Sequence, residues 1–60
     1  MEKEILAVEW YKSMRFENNE PKPAVRARIG YLDTVVAVCY SDVIAENIAA
    51  LHNQCLNQSL

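Results

Sequence analysis

Two arginines one residue apart are the first candidates for a binding function. Arg26 and Arg28 lie in a segment where apolar and basic residues alternate, so in a strand both side chains point to the same side. On a neighbouring strand, Tyr11 and Glu9 would complete a groove. Guanidinium groups pair with phosphate oxygens and an aromatic ring offers a stacking surface, so the pattern is compatible with capture of a nucleotide-like anion. The competing interpretation is a basic pair that protects a sheet edge and is balanced across strands by Glu9.

His52 and the two cysteines are the other side chains suited to metal binding or to acid–base work. His52 is the sole histidine, and Cys55 follows three residues later, a spacing that places both on one face of a helix. Two ligands are too few for a zinc site, and nothing in the sequence fixes the position of Cys39. We therefore expect no metal, no cofactor and no catalytic residues. Both cysteines are expected to be buried, reduced thiols.

The element that must position His52 is a predicted C-terminal helix over residues 41–56. Ser41 and Asp42 are good N-cap residues, and no proline or glycine interrupts the run. An isolated helix of this length is marginal in water, so it must pack on an apolar surface formed upstream. The apolar stripe that recurs at helical spacing and is expected to make this contact consists of Ile44, Ile48, Leu51 and Cys55.

Residues 4–16 leave two interpretations open. As a helix, the segment has a passable apolar stripe, but Ile5, Val8 and Phe16 lie off it. As a strand, it alternates well and has the aromatic and branched content typical of strands, so we favour a strand. One face would then carry Leu6, Val8, Trp10, Met14 and Phe16, and the other Ile5, Ala7, Glu9, Tyr11, Ser13 and Arg15.

Three further segments complete the predicted organisation. Two prolines and an Asn pair in residues 17–23 are taken to exclude regular structure, so a hairpin loop is expected there. Residues 24–31 alternate and predict a half-buried strand. A turn is expected between Gly30 and Thr34. The nearly continuous apolar run over residues 34–40 is typical of a strand covered on both faces.

Together these elements predict a single domain, residues 1–60, with an α+β fold. It is a three-stranded antiparallel β-meander followed by one C-terminal α-helix packed on one face. One helix covers one face of a sheet and leaves the other open, and we expect the open face to be an apolar surface for self-association. The predicted interface residues on that face are Ile5, Ala7, Tyr11, Val35 and Ala37.

The composition favours self-association and argues against some classes of partner. The chain has 60 residues, of which 52% are hydrophobic, and a domain this short buries only about 60% of its unfolded surface. A two-fold homodimer is the expected form. The net charge of -2, with both signs scattered, argues against nucleic-acid binding. The charged N-terminus does not resemble a secretory signal and no apolar run approaches a membrane span, so a cytoplasmic protein without a membrane partner is expected.

The strand–helix junction near the C-terminus has a further implication. Val36-Ala37-Val38-Cys39, followed by residues 42–53, resembles the end of many small accessory proteins of tailed bacteriophages and prophages. Those proteins often finish with a β-meander, a similar apolar strand and a helix of the AxxIAxxxN type. The resemblance implies a bacterial cytoplasmic setting and action by binding host proteins or by sequestering small molecules. It carries over no catalytic residue.

The sequence therefore predicts a non-enzymatic, homodimeric protein-interaction module that binds a host protein. The alternative is a protein that sequesters a nucleotide-like anion near Arg26, Arg28 and Tyr11.

Overall fold

A short helix, a three-stranded sheet and a long helix follow one another along the chain. The computed structural model describes residues 2–58. The strands form one antiparallel sheet in the order β1-β2-β3, and the long helix packs on β1 and β2. The predicted β-meander with a C-terminal helix is thereby confirmed. The elements are α1 (Glu2–Ala7), β1 (Trp10–Glu17), β2 (Glu20–Ile29), β3 (Leu32–Val38) and α2 (Asp42–Gln58).

The ambiguous N-terminal segment contains both of the structures weighed for it. It is helical to Ala7 and extended from Trp10, so the favoured strand is right for its second half and wrong for its first. Glutamate, lysine, leucine and alanine, which dominate α1, are better helix formers than the aromatic residues that follow. The helix also brings the Ile5 carbonyl within 2.8 Å of the Trp10 indole N–H, which donates to it.

The first hairpin is tighter than the sequence suggests. Asn18 and Asn19 alone form the turn, with φ of 52° and 65°, as a type I′ turn requires. Pro21 and Pro23 lie inside β2, so the expectation that residues 17–23 lack regular structure is wrong. Hydrogen-bonded and non-hydrogen-bonded pairs alternate from the turn, and both prolines occupy positions where a backbone N–H would point away from β1.

The second hairpin also has a two-residue turn, at Gly30-Tyr31. Gly30 has φ of 60°, which suits the first central position of a type II′ turn. Strand β3 therefore starts two residues earlier than predicted. Its pairing with β2 shifts between Val25 and Arg26 and leaves Val36 as the extra residue of a bulge.

The core between α2 and the sheet is built largely from alanine. Val25, Ala45 and Ala49 form its buried cluster, with Ile48 and three partly buried neighbours packed against it. Alanines let the helix approach the sheet closely. Within the predicted stripe only Ile48 makes this contact, because the helix is rotated towards Ala45 and Ala49. The other stripe residues, Ile44, Leu51 and Cys55, are exposed.

Candidate functional site

A polar joint ties the C-terminal half of α2 to the start of β1. The Asn53 side chain accepts a hydrogen bond from the Trp10 backbone N–H (2.8 Å) and donates one to the Trp10 carbonyl (2.9 Å). The His52 ring stacks on the Trp10 indole, with centroids 3.6 Å apart and planes 9° apart. Its Nε2 lies 2.8 Å from the Val8 carbonyl oxygen. These contacts fix the C-terminal half of α2 against the start of β1, so the joint positions the two elements.

His52 and the cysteines do not come together as a metal site. Among residues 2–58 no group of three or more histidine, cysteine or acidic side chains could hold a metal ion. Cys39 is half-buried and Cys55 is exposed, and neither forms a disulfide within that range. The expectation that both thiols are buried is therefore wrong for Cys55, since α2 turns its alanines, and not Cys55, to the sheet.

The open face of the sheet carries a polar network around Asp33. The Tyr11 hydroxyl donates a hydrogen bond to Asp33 Oδ1 at 2.6 Å, and Arg26 Nη1 lies 3.8 Å from the same oxygen. Arg26 Nε donates to the Met14 carbonyl at 3.0 Å. Tyr11 and Arg26 face each other across β1 and β2, so the network spans all three strands. This face is therefore polar at its centre, and not the apolar surface expected from the sequence.

A shallow groove of about 450 Å³ lies beside this network, lined by Glu9, Tyr11 and Arg28. Three of the four residues predicted for a groove thus meet there, whereas Arg26 is engaged by Asp33 and Met14. Among the described residues Arg28 has no ion pair. The hydrogen bond to Asp33, together with desolvation and the Asp33 charge, raises the pKa of the Tyr11 phenol above its ordinary value, and the two arginine charges oppose that rise.

The five predicted interface residues fall in different places. Ile5 and Val35 line one apolar groove of about 290 Å³, between α1 and β3, whose other walls are Leu6, Trp10 and Val36. Ala7 is exposed at the end of α1, Tyr11 belongs to the open face, and Ala37 is half-buried opposite Val25. They do not share one sheet face, because Ile5 and Ala7 are helical. Their part in association stays a prediction.

Large apolar side chains remain exposed on α2 and elsewhere. Leu51 is 62% exposed and Ile44 41%, both on one flank of the helix, while Val43 is 65% exposed on the other. A core of four alanines and one valine cannot absorb these side chains. The remaining exposed large apolar residues are Leu6, Tyr11, Met14, Phe16, Tyr31, Leu32, Val38 and Tyr40.

Comparison of the chain with protein-family models, with curated proteins and with solved structures gives no match. Within residues 2–58, no helix combines the length and apolar character needed to cross a membrane.

Sequence reasoning missed the roles of Asn53 and Asp33. Asn53 lies outside the predicted apolar stripe of the helix, yet it bonds both backbone groups of Trp10. Asparagine is a weak helix former because it competes for backbone hydrogen bonds, so an Asn deep in a helix is itself a signal for a backbone partner. Asp33 was assigned to a turn, and no local pattern indicates that β3 starts early enough to bring it to Tyr11.

Proposed function

We propose that this chain is a non-catalytic, homodimeric protein-interaction module. The observation that carries the proposal is that the buried residues are small, whereas the large apolar side chains are exposed. The buried hydrophobic residues are Ala24, Val25, Ala27, Ala45 and Ala49, while the larger apolar side chains are exposed. Exposed apolar surface of this extent marks an interaction site in a soluble domain.

The exposed area supports the same proposal. A compact monomer of 6.9 kDa is expected to expose about 4000 Å². This chain exposes 4652 Å². The excess of about 650 Å² approaches the roughly 800 Å² that each partner buries in a standard protein–protein interface. The thin shape, 39 × 25 × 14 Å, agrees with one layer of helix on one layer of sheet.

Sedimentation velocity across a wide concentration range tests the homodimer. A mass that rises to that of two chains at micromolar concentration is the expected result. A single-chain mass up to the highest soluble concentration would contradict the proposal, because the apolar surface would then stay exposed without a second copy.

We further propose a bacterial host protein as a second partner, on the strength of the phage-like strand–helix junction. The end of the first hairpin supplies apolar side chains beyond the reach of α2, with Phe16 66% exposed and Met14 48%. A photo-crosslinking residue at position 16 should trap one host protein in bacterial cells. The matched probe at Gln54, an exposed polar position on α2, should not. Equal trapping at both positions, or none at position 16, would contradict this partner.

A second candidate function is the capture of a nucleotide-like anion on the open face. The observation that favours it is the Arg28 guanidinium, which has no ion pair within residues 2–58 and lies beside the Tyr11 ring in a groove large enough for a small ligand. Glu9 in the same groove opposes an anion, and Arg26 is already engaged. The proposal therefore depends on Arg28 alone, and not on an arginine pair.

Native mass spectrometry with added nucleoside phosphates tests this candidate. The unmodified protein should show a bound nucleotide, and Arg28→Ala should lose it. Arg15→Ala is the matched control. Arg15 lies on β1, is exposed like Arg28, and takes no part in the groove. Equal binding by Arg28→Ala and the unmodified protein would dismiss the open face as an anion site.

A further inference from the structure

The two long edges of the sheet differ in how their backbone groups are satisfied. Along β1, the outward-pointing groups of Trp10 are bonded by Asn53, and the Met14 carbonyl accepts a hydrogen bond from Arg26. Lys12 adds a charge, paired with Asp42 at 3.9 Å. Side-chain caps and charges on an edge are the usual protection against pairing with another chain. The β1 edge is therefore protected against pairing with another chain.

The β3 edge has fewer of these devices, namely one charged residue, Asp33, and the bulge at Val36. Its sequence is Leu-Asp-Thr-Val-Val-Ala-Val, without proline, lysine or arginine. Pairing with β2 alternates from the Gly30-Tyr31 turn, so the N–H groups of Asp33 and Val35 point away from β2. β2 is the sole strand that pairs with β3 among the described residues. An edge that is mostly apolar, and whose one charge is engaged by Tyr11 and Arg26 on the open face, is a template for a further strand.

The exposed apolar flank of α2 lies on the same side of the molecule. Helix α2 packs on β1 and β2, and the residues that tie it to β1, Asp42 and Asn53, lie about 160–180° around the helix from Ile44 and Leu51. That flank therefore faces the β3 side. The apolar groove of Ile5, Leu6, Trp10, Val35 and Val36 lies there too.

We propose that a second copy of this chain pairs with β3 in antiparallel fashion to give a continuous six-stranded sheet. The inference rests on the proposed homodimer and names the surface that forms it. An antiparallel edge pairs with itself about a two-fold axis, so one open edge per chain suffices to close the assembly. The excess exposed area of about 650 Å² is of the size that such an interface buries.

Charge favours a second copy over a different protein as the occupant. The acidic residues of α2, Asp42 and Glu46, lie on the flank away from β3. The side chains that border the exposed stripe include Asn47 and Gln54, which are neutral and can donate and accept hydrogen bonds. A charged group near a two-fold axis would face its own copy, whereas neutral amides there are self-complementary. The one charge on β3, Asp33, is already engaged by Tyr11 and Arg26 on the open face.

Layer spacing is consistent with this arrangement. With strands about 4.8 Å apart, the two α2 helices would lie roughly 20 Å from each other above the six strands. Helices pack about 8–10 Å apart, so one more row of helix fits between them. α1 packs on β2 and joins the Trp10 end of β1. Antiparallel pairing places the partner's α1 near the Val38 end of this chain's β3. The two α1 helices would then occupy the space between the two α2 helices.

Amide hydrogen exchange on the unmodified protein tests the edge directly. The amides of Asp33 and Val35 should become protected as the dimer forms, by about 100-fold or more, because each gains a ladder hydrogen bond. Lys12 and Phe16, whose amides point outward from β1, are the matched controls and should exchange quickly at all concentrations. Rapid exchange at Asp33 and Val35 in a sample that sediments as a dimer would overturn the β3 pairing.

A pair of lysine variants gives an independent test. Val38→Lys places a charge on the β3 edge, and Met14→Lys places one on the β1 edge at a position of similar exposure, 41% against 48%. Val38→Lys should raise the dimer dissociation constant at least tenfold, whereas Met14→Lys should leave it within about twofold. Circular dichroism checks that both variants fold. Equal effects would overturn the inference while leaving the homodimer intact, and a chain that never dimerises would overturn the proposed function itself.

Discussion

The two faces of the sheet are held together in opposite ways. The face under α2 has a small apolar core in which the helix contributes Ala45 and Ala49, and its orientation is fixed by hydrogen bonds from Asn53 to the Trp10 backbone. The open face has long side chains that bond to one another, with Asp33 at their centre. One face therefore depends on close approach of two elements, and the other needs no cover.

This difference explains where apolar surface is left over. A polar open face satisfies itself, so it does not require burial against a second sheet. The alanine core on the other face leaves the larger residues of α2, such as Leu51, outside it. The unpartnered surface thus lies at the β3 side, between the two faces. The comparison also predicts that substitutions on the covered face cost far more stability than those on the open face.

Enlarging a core alanine should have the largest effect. Ala45 is fully buried between α2 and the sheet, so Ala45→Leu must push the helix away from β2. We expect the free energy of unfolding to fall by roughly 3 kcal/mol, at the upper end for overpacking. Urea unfolding at one fixed protein concentration measures it, since the stability of the proposed dimer would depend on concentration.

Ala50→Leu is the matched control for that substitution. Ala50 is exposed on the same helix, and leucine is nearly as good a helix former as alanine. Its stability should stay within about 0.5 kcal/mol of the parent. Equal losses in both variants would show that the alanines of α2 matter for helix propensity and not for close packing.

Removing the Asn53 side chain should have the next largest effect. Asn53→Ala leaves both the N–H and the carbonyl of Trp10 without their partner at the β1 edge. We expect a loss of about 2 kcal/mol, because water can replace only part of these half-buried bonds. Asn57→Ala, at an exposed position of the same helix away from Leu51, should change stability by less than about 0.5 kcal/mol. A loss no greater than that of Asn57→Ala would mean that the joint does not fix the helix.

Local patterns were enough for the order of the strands and the long helix, and not for the way they pack. Alternation and turn residues predict the meander because each is set by neighbouring residues. The rotation of α2 towards Ala45 depends on how closely the helix can approach the sheet, and the hydrogen bonds of Asn53 to Trp10 join residues 43 positions apart. The spacing of apolar residues along a helix predicts neither the distance of closest approach nor these long-range hydrogen bonds.

The candidate site shows the same division. Alternation correctly puts Tyr11, Arg26 and Arg28 on one side of the sheet, because side-chain direction in a strand has a period of two. The two-residue turns and the bulge at Val36 then decide which residue of β3 lies beside them. Asp33 is brought to Tyr11 by that register, and it engages Arg26 as well. Arg26 therefore has an ion pair that Arg28 lacks within residues 2–58 because of the register of β3.

The smallest effect is expected on the open face, and it concerns protonation more than stability. The Asp33 hydrogen bond raises the pKa of Tyr11, so the stabilisation it gives is fully present below the unfolded-state pKa near 10 and is lost as the pH rises through the higher folded-state value. Asp33→Ala should lower the Tyr11 pKa, and Asp33→Asn should lower it less because the amide oxygen still accepts the bond. Carbon NMR of the Tyr11 ring during an alkaline titration measures both shifts. An unchanged Tyr11 pKa in Asp33→Ala would mean that the network is not formed in solution, and the contrast between a self-satisfied face and a packed one would fail.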